Sequence, residues 1–528
     1  LYWPHDGMPD SRRFMKYLSK VLVATLIASQ AFAADRPNIL FIFSDDHALQ
    51  AISAYGGRLE KVAPTPNIDR IADEGAIFEN SFCANSICGP SRACILTGKH
   101  SHKNGFMRNG DRFDGSQMTF PKLLKKSGYQ TALIGKWHLT SDPQGFDFWE
   151  ILPGQGSYYN PDLIQMNGKK KRFQGYATDI ITDHSIAWLK KRDKTKPFIL
   201  MCQHKAPHRN WAPAPRHLTL FDDIEIAEPK TLNDDYSGRS SWLKKNKMTL
   251  KKHFHWGHDL KLHGKSFVPG KIMNGVKNGE YMRMTPAQQL DWDMAYGPKN
   301  ARFLAKLADD RLTDAEILKW KYQRYMKDYL RTIRAVDENV GRMLKYLDDS
   351  GLAKNTIVIY SSDQGFYLGE HGWYDKRWMF EQSLKMPFLI RWPGVIKKGL
   401  NSDALIQNID YAPTFLDVAG VEIPKAIQGK SLIPLLKGEI KSSDWRKSIY
   451  YAYYMNPGTH NVPQHDGVRT DRYKLFYLPQ SKEWQLFDLV KDPDEMLSVY
   501  DAPEYAKVRK NMKKVYDDQK AHYQGVLK

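Results

Sequence analysis

Asn38-Ile39-Leu40-Phe41-Ile42-Phe43 is an unbroken apolar run that stops abruptly at Ser44-Asp45-Asp46-His47. A strand with one wet face alternates apolar and polar residues. A run without alternation fits a strand buried on both faces, as in a parallel sheet covered by helices. The texture returns in Thr131-Ala132-Leu133-Ile134, Phe198-Ile199-Leu200-Met201, Thr356-Ile357-Val358-Ile359-Tyr360 and Phe388-Leu389-Ile390. Helical patterns lie between these runs. Pro66-Asn67-Ile68-Asp69-Arg70-Ile71-Ala72 reads as a helix opening, and Tyr329, Ile333, Val336, Val340, Leu344 and Leu347 share one helical face. The alternation predicts an α/β fold built on a large, mostly parallel sheet flanked by helices. Ligands of such folds gather at the carboxyl ends of the strands. Polar clusters follow Phe43, Ile134, Met201 and Tyr360 at those ends.

Two regions break the rhythm. Residues 212–320 form an insertion rich in Lys, His, Trp and Asn, including Lys244-Lys245-Asn246-Lys247 and Lys251-Lys252-His253-Phe254-His255-Trp256. Most of it reads as a solvated excursion, and part of it as a basic, aromatic wall against an anionic sugar. After residue 440, short aromatic runs at 449–454, 467–470, 473–477 and 484–488 read as a strand meander followed by a charged helix over 506–523. The expected division is therefore a main domain over 34–440 and a smaller α+β C-terminal subdomain over 441–528 with an antiparallel sheet.

Residues 15–33 combine a basic start, a short apolar run and Ala31-Phe32-Ala33, the pattern of an export leader with a small-residue cleavage site. Residues 1–14 read as an upstream extension or artefact. The leader's apolar run is too short to span a bilayer, so no transmembrane anchor is expected and the chain is read as periplasmic or secreted. Lys and Arg exceed Asp and Glu by 78 to 59, a net charge of +19, which calls for polyanionic company. No zinc-finger spacing or RNA-binding signature accompanies that charge, which sets nucleic acid aside. Of the four cysteines, Cys83, Cys88 and Cys94 fall within twelve residues, and Cys202 stands apart. Buried free thiols are expected of all but Cys88.

Cys88-Gly89-Pro90-Ser91-Arg92 leads into an apolar, helix-forming segment. That places Cys88 at a helix N-terminus, where partial positive charge favours an anion, with Arg92 one turn on. Asp45-Asp46 and Asp363-Gln364 end two of the strands. Side-by-side carboxylates repel one another unless a cation or protons intervene. Together these four side chains form an all-oxygen nest suited to Ca²⁺ or Mg²⁺. Lys136-Trp137-His138, His204-Lys205-Ala206-Pro207-His208 and Lys376 add cations at neighbouring strand ends, an arrangement suited to transferring a charged XO₃ group.

With Cys88-x-Pro90-Ser91-Arg92 followed by Thr97-Gly98, the sequence resembles the type I sulfatases of the alkaline-phosphatase-like superfamily. The likeness extends to Gly135-Lys136-Trp137-His138-Leu139, Gly369-Glu370-His371-Gly372 and Gln428-Gly429-Lys430-Ser431-Leu432, and it runs from Arg36 to the 473–488 stretch. The resemblance implies that a maturation enzyme oxidises Cys88 to formylglycine, whose hydrate is the nucleophile. It implies Asp45, Asp46, Asp363 and Gln364 as metal ligands beside residue 88, usually for calcium. It implies Arg92 as the holder of the hydrated aldehyde, Lys136 and Lys376 as sulfate-binding groups, His138 as an aid to sulfate release, and His208 as the general acid. Gln364 departs from the Asn or His of many relatives, although its amide oxygen can still coordinate.

The expected activity is hydrolysis of sulfate esters on a carbohydrate. The readings set against it are a phosphonate or phosphate ester hydrolase of the same superfamily and an inactive glycan-binding relative. The leader, the charge and the insertion favour a sulfated oligo- or polysaccharide, with N-acetylglucosamine 6-sulfate the first expectation and an algal polysaccharide the next. His465 and Arg209 are candidate sugar contacts, with His371 a third, and a structural role is the alternative for each.

Overall fold

The computed structural model describes residues 36–262, 279–309 and 311–524. The expected leader lies outside them. Ten strands form one sheet in the order Leu400–Ser402, Ala76–Phe78, Phe388–Arg391, Thr356–Ser362, Asn38–Ser44, Phe198–Gln203, Gln130–Lys136, Phe148–Leu152, Asp162–Gln165 and Lys170–Arg172. The five strands from Thr356–Ser362 to Phe148–Leu152 run parallel. Phe388–Arg391 joins antiparallel, as do the strands beyond Phe148–Leu152, so the sheet is mixed at its margins.

The opening run sits at the centre of this sheet with all of its residues buried. Its alternate side chains feed different cores. Ile39, Phe41 and Phe43 pack with Ile95 and Leu96 of the helix Cys88–Thr97 and with Phe415 and Leu416 of the helix Tyr411–Val418. Leu40 and Ile42 pack with Ile68, Ile71, Ile180, Val336 and Val340 from the helices Pro66–Asp73, Ala177–Lys191 and Asp314–Asp349. A strand covered on both sides gains nothing from a polar residue on either, which is why the run does not alternate.

Asp314–Asp349 starts at a capping box, with Thr313 accepting from the Glu316 amide and the Glu316 carboxylate accepting from the Thr313 amide. The excursion read as 212–320 therefore returns to the core by residue 314. Phe254 and Trp256 face inward. Phe254 packs among Trp211, Tyr325 and Tyr374, and Trp256 lies beside the stacked rings of Phe303 and Trp320, under the Lys321 ammonium. The expected aromatic wall over 251–256 is thus core and support, because large rings gain more from burial than from lining water.

The C-terminal strands Ser448–Tyr453, His465–Thr470, Tyr473–Leu478 and Glu483–Asp488 make an antiparallel meander in chain order. The helix Ala506–Gln524 packs on it through Met512, Tyr516 and Tyr523. All four cysteines are buried, free thiols. Among the described residues no helix is long and apolar enough to cross a membrane.

Candidate active site

Four adjacent parallel strands bring their carboxyl ends to one edge, with Ser362 opposite Ser44, Phe43 opposite Gln203, and Gln203 opposite Gly135. Asp363-Gln364, Asp45-Asp46, His204 and Lys136 consequently stand side by side. The approach at Gly135 is close enough to demand glycine: φ is +111°, and a Cβ there would lie 1.9 Å from the Gln203 carbonyl oxygen. Asp46 is held in the left-handed region at φ 65°. Its amide donates to Asp363 Oδ1 at 3.0 Å, and its carbonyl accepts from the Tyr329 hydroxyl at 2.7 Å. A non-glycine residue in that conformation is strained, and it persists here because both neighbours fix it.

The helix Cys88–Thr97 points its N-terminus at this edge, buried along its whole length. Gly89 donates its amide to Asn109 Oδ1 at 3.0 Å, and a Cβ at Gly89 would meet Phe106 at 2.7 Å. Pro90 falls in the first turn, where its missing N–H costs no helical bond. Burial pushes the Cys88 thiol up to about 12 despite the neighbouring Lys376, with Asp46 and Asp363 adding to the rise. Cys88 is therefore a protonated thiol at neutral pH, the opposite of the lowered value that marks reactive cysteines.

Asp45, Asp46, Cys88 and His208 each place a ligand atom within 4.8 Å of one another. Neither Asp45 oxygen nor Gln364 Oε1 accepts a hydrogen bond, although all are buried. Asp45 instead faces cations, in contact with Lys136 Nζ and 3.7 Å from Arg92 Nη2. Burial lifts Asp46 to about 7, only partly offset by Lys376. For Asp363 burial acts upward as well, and Arg92, Lys376 and Lys136 overcome it to hold the carboxyl below its usual range. Three sealed carboxylates and an orphaned amide oxygen fit a hard divalent cation.

Arg92 reaches inward. Its Nε and Nη2 donate to Asp363 Oδ2 at 3.2 and 3.1 Å, while Nη1 donates to Gln203 Oε1 at 2.8 Å and to the Lys136 carbonyl at 3.1 Å. Lys376 is the cation that meets residue 88, with Nζ 3.1 Å from Cys88 Sγ and in contact with Asp46 Oδ1. Burial opposes its charge, but Asp46 and Cys88 reverse the balance and raise its pKa. Lys136 goes the other way. Burial and the like charge of Lys205 lower its pKa well below the usual value.

His208 Nδ1 donates to the Arg209 carbonyl at 2.6 Å, which turns Nε2 toward Asp46 Oδ2 at 3.7 Å. His138, at φ 58°, is held neutral with a pKa near 2 by burial first and by Lys136, Arg92 and Lys376 next.

Some residues at this site had no sequence signal. Gln155, in the loop after Phe148–Leu152, accepts from Lys136 Nζ at 2.5 Å and bonds His138 Nε2 at 3.1 Å, orienting both. Lys205, already among the cations expected at the strand ends, is 3% exposed, lies over the Tyr158 ring and adds a third lysine near Cys88. Asp375 and Arg377 flank Lys376 with positive φ angles of 75° and 95°. Arg377 Nε sits 3.3 Å from Asp375 Oδ1, and His460 Nε2 lies 3.1 Å from Asp375 Oδ2. The Arg377 Nε and Nη1 atoms make no hydrogen bond.

The expected sugar contacts are placed differently. His465 is 2% exposed and stacks on Trp378, with Nδ1 donating to the Pro463 carbonyl at 2.9 Å. His371 is fully buried against Asp234, 2.8 Å away. Neither ring is open to a sugar. Arg209 gives both arms to Asp259, at 2.7 and 2.6 Å, and lies over Tyr374. It braces the loop that carries His208.

An anion-facing helix N-terminus, a carboxylate nest and converging lysines at the carboxyl edge of this sheet define a hydrolase of the alkaline-phosphatase-like superfamily. The sulfatase family model matches residues 37–421, and the model for the C-terminal part of N-sulphoglucosamine sulphohydrolase matches 369–522. The chain belongs to the sulfatase family and is a sulfuric ester hydrolase. It is 48% identical over 511 residues to the N-acetylglucosamine-6-O-sulfatase of Bacteroides thetaiotaomicron, covering 96% of this chain and 90% of the relative. A solved structure in complex with its substrate D-glucosamine-2-N,6-O-disulfate superposes with a TM-score of 0.88 at 48% identity, covering 93% of this chain and 99% of that one. The phosphonate monoester hydrolase of Silicibacter pomeroyi shares the fold alone, with a TM-score of 0.67 at 20% identity over 92% of this chain and 96% of that one.

Proposed function

We propose that the chain removes the 6-O-sulfate from a glucosamine derived from a sulfated glycan. The 48% identity that spans nearly the whole chain, to a relative named for that activity, carries this reading. The similarity to a phosphonate hydrolase extends to the fold only and gives the alternative chemistry no comparable support.

In this reading a maturation enzyme converts Cys88 to formylglycine, and the buried, unreactive thiol is its precursor. The hydrated aldehyde supplies a hydroxyl nucleophile whose carbon carries a second hydroxyl, so that the sulfate can be released again. Asp45, Asp46, Asp363, Gln364 and residue 88 would hold a calcium ion, with magnesium the alternative; it supplies positive charge that favours the ionised nucleophile.

The protein's own residues account for the rest. Lys376 and Lys136 present ammonium groups where negative charge grows on the sulfuryl oxygens. Arg92 fixes Asp363 and the ends of two strands in register. Gln155 orients Lys136 and His138, and His138 assists departure of the sulfate. His208, once protonated on both nitrogens, can donate its Nε2 proton to the leaving sugar oxygen. Asp375 and Arg377 offer a carboxylate and the unbonded Nη1 to sugar hydroxyls, with His460 spent on holding Asp375 and the Lys247 carbonyl. Residues 15–33 would direct the chain out of the cytoplasm.

The test is sulfate release from 6-O-, 3-O- and N-sulfated glucosamines, run beside a phosphonate ester. Preference for the 6-O-sulfate supports the reading. Faster turnover of the phosphonate, or of another sulfate position, overturns it.

A further inference from the structure

A cavity of about 610 Å³ opens between the helices Pro286–Ala308 and Asp314–Asp349. Seven Lys and Arg side chains line it against three carboxylates. One carboxylate is already committed: Asp222 binds Lys299 at 2.9 Å and Arg331 at 2.6 Å. A second, Glu316, is taken up by the Thr313 cap.

What remains is a surplus of positive charge in two rows. Lys299, Arg302 and Lys306 recur at three- and four-residue intervals on the first helix, which puts them on one face. Arg302 and Lys306 are exposed and form no ion pair among the described residues. On the second helix Lys319, Gln323 and Lys327 also recur every four residues. Among the described residues Lys319 forms an ion pair with the outlying Glu225, itself 69% exposed, and Lys327 Nζ bonds the Asp222 carbonyl oxygen at 3.0 Å. Like charges one turn apart weaken a helix, a cost the first row carries at Lys299, Arg302 and Lys306 and that Asp222 offsets only at Lys299.

The groove also has an aromatic wall. Trp320 stacks on Phe303 with ring centroids 3.6 Å apart, and both line the cavity. Lys327 lies two residues from Tyr329, whose hydroxyl bonds Asp46, and side chains two apart on a helix point to nearly opposite sides. The groove therefore faces away from the catalytic edge.

We propose that this groove is a second binding site for a sulfated glycan chain, separate from the catalytic centre, which holds polymer while chain ends are processed. The two rows of cations pair with sulfates, while Trp320, with Phe303 stacked on it and the Arg324 guanidinium over it, is packed wall rather than a stacking face. The proposal rests on the sulfated-glycan reading above.

The experiment measures binding of a heparin decasaccharide, and of the same oligosaccharide fully desulfated, to the full-length enzyme and to the triple variant Arg302→Ala, Lys306→Ala, Lys319→Ala. Exposed ion pairs are individually weak, so loss of three predicts a decrease of roughly ten- to hundredfold in affinity for the sulfated chain. Sulfate release from glucosamine 6-sulfate should stay at the wild-type rate. Unchanged decasaccharide affinity overturns the groove, as does equal, groove-dependent binding of single-stranded DNA of matched charge. A protein that binds heparin through the groove yet desulfates no glucosamine retires the substrate reading and leaves the groove standing. One that desulfates glucosamine while the triple variant binds heparin normally retires the groove alone.

Discussion

The Lys376 ammonium sits 3.1 Å from the Cys88 sulfur and touches Asp46 Oδ1 with the same nitrogen. One buried cation thus couples the nucleophile position to the carboxylate nest. Lys376→Met keeps the length of the side chain and removes the charge. It should lower kcat by about 10²- to 10³-fold, the scale for deleting one preorganised group that stabilises transition-state charge. Steady-state kinetics on a 6-sulfated glucosamine checks this, and a near-normal kcat would remove Lys376 from the chemistry.

Cys88 should be absent as a thiol from the active enzyme. Mass spectrometry of the peptide containing residue 88 is expected to find an aldehyde after co-expression with a maturation enzyme. Cys88→Ala should abolish turnover with little change in melting temperature, since the lost volume is small. Cys88→Ser should manage a single sulfuryl transfer at most, and sustained turnover by that variant contradicts the aldehyde chemistry.

The orphaned oxygens of Asp45 and Gln364 predict stabilisation by a divalent cation. A ligand at a hundred times its dissociation constant adds about 2.7 kcal/mol to folding stability. Melting temperature should therefore rise when calcium is restored to chelator-treated protein, and Asp45→Asn should blunt both the rise and the activity. A calorimetric trace indifferent to calcium and chelator would count against the site.

Arg377 pairs its Nε with Asp375 beside Lys376 and leaves Nη1 without a hydrogen bond, so its expected role is in holding the sugar. Arg377→Ala should raise KM for a glucosamine sulfate more than it lowers kcat. On a small aryl sulfate, which has no sugar hydroxyls, the same substitution should matter little. A loss confined to kcat on both substrates would place Arg377 in the chemistry instead.

The central strands, the meander and the amphipathic face from Tyr329 to Leu347 were legible because burial on two faces, one face or one stripe each leaves its own spacing. The carboxylates and lysines were legible because they follow strand ends. Gln155 was not, since a glutamine in a Gly-rich loop looks like any surface residue until folding lays it against Lys136. His465 and Arg209 misled for the converse reason. Polar side chains near a motif can serve it from inside: Arg209 spends its guanidinium on Asp259, and His465 fills an aromatic stack. The basic insertion hid its pattern because the two rows of cations come from two separate helices, and only their packing sets one opposite the other.

That buried position of His465 has a consequence for acid stability. Burial is the largest influence and pulls its pKa from 6.5 to about 4, against the bond to the Pro463 carbonyl and the charge of Asp466. His204 is lowered to about 4 as well, again chiefly by burial. The unfolded chain therefore binds more protons than the folded one between pH 6.5 and 4. Stability from keeping these rings neutral is fully present above pH 6.5 and is lost progressively as pH falls toward 4. At pH 5 each ring has given up about 2 kcal/mol, from 1.5 pH units at about 1.36 kcal/mol each. The urea midpoint should thus fall between pH 7.5 and pH 5. His465→Phe keeps a ring against Trp378 and cannot titrate, so its midpoint should fall less over the same interval, whatever its absolute stability. Equal falls in the two proteins would show that His465 already carries its proton in the folded state.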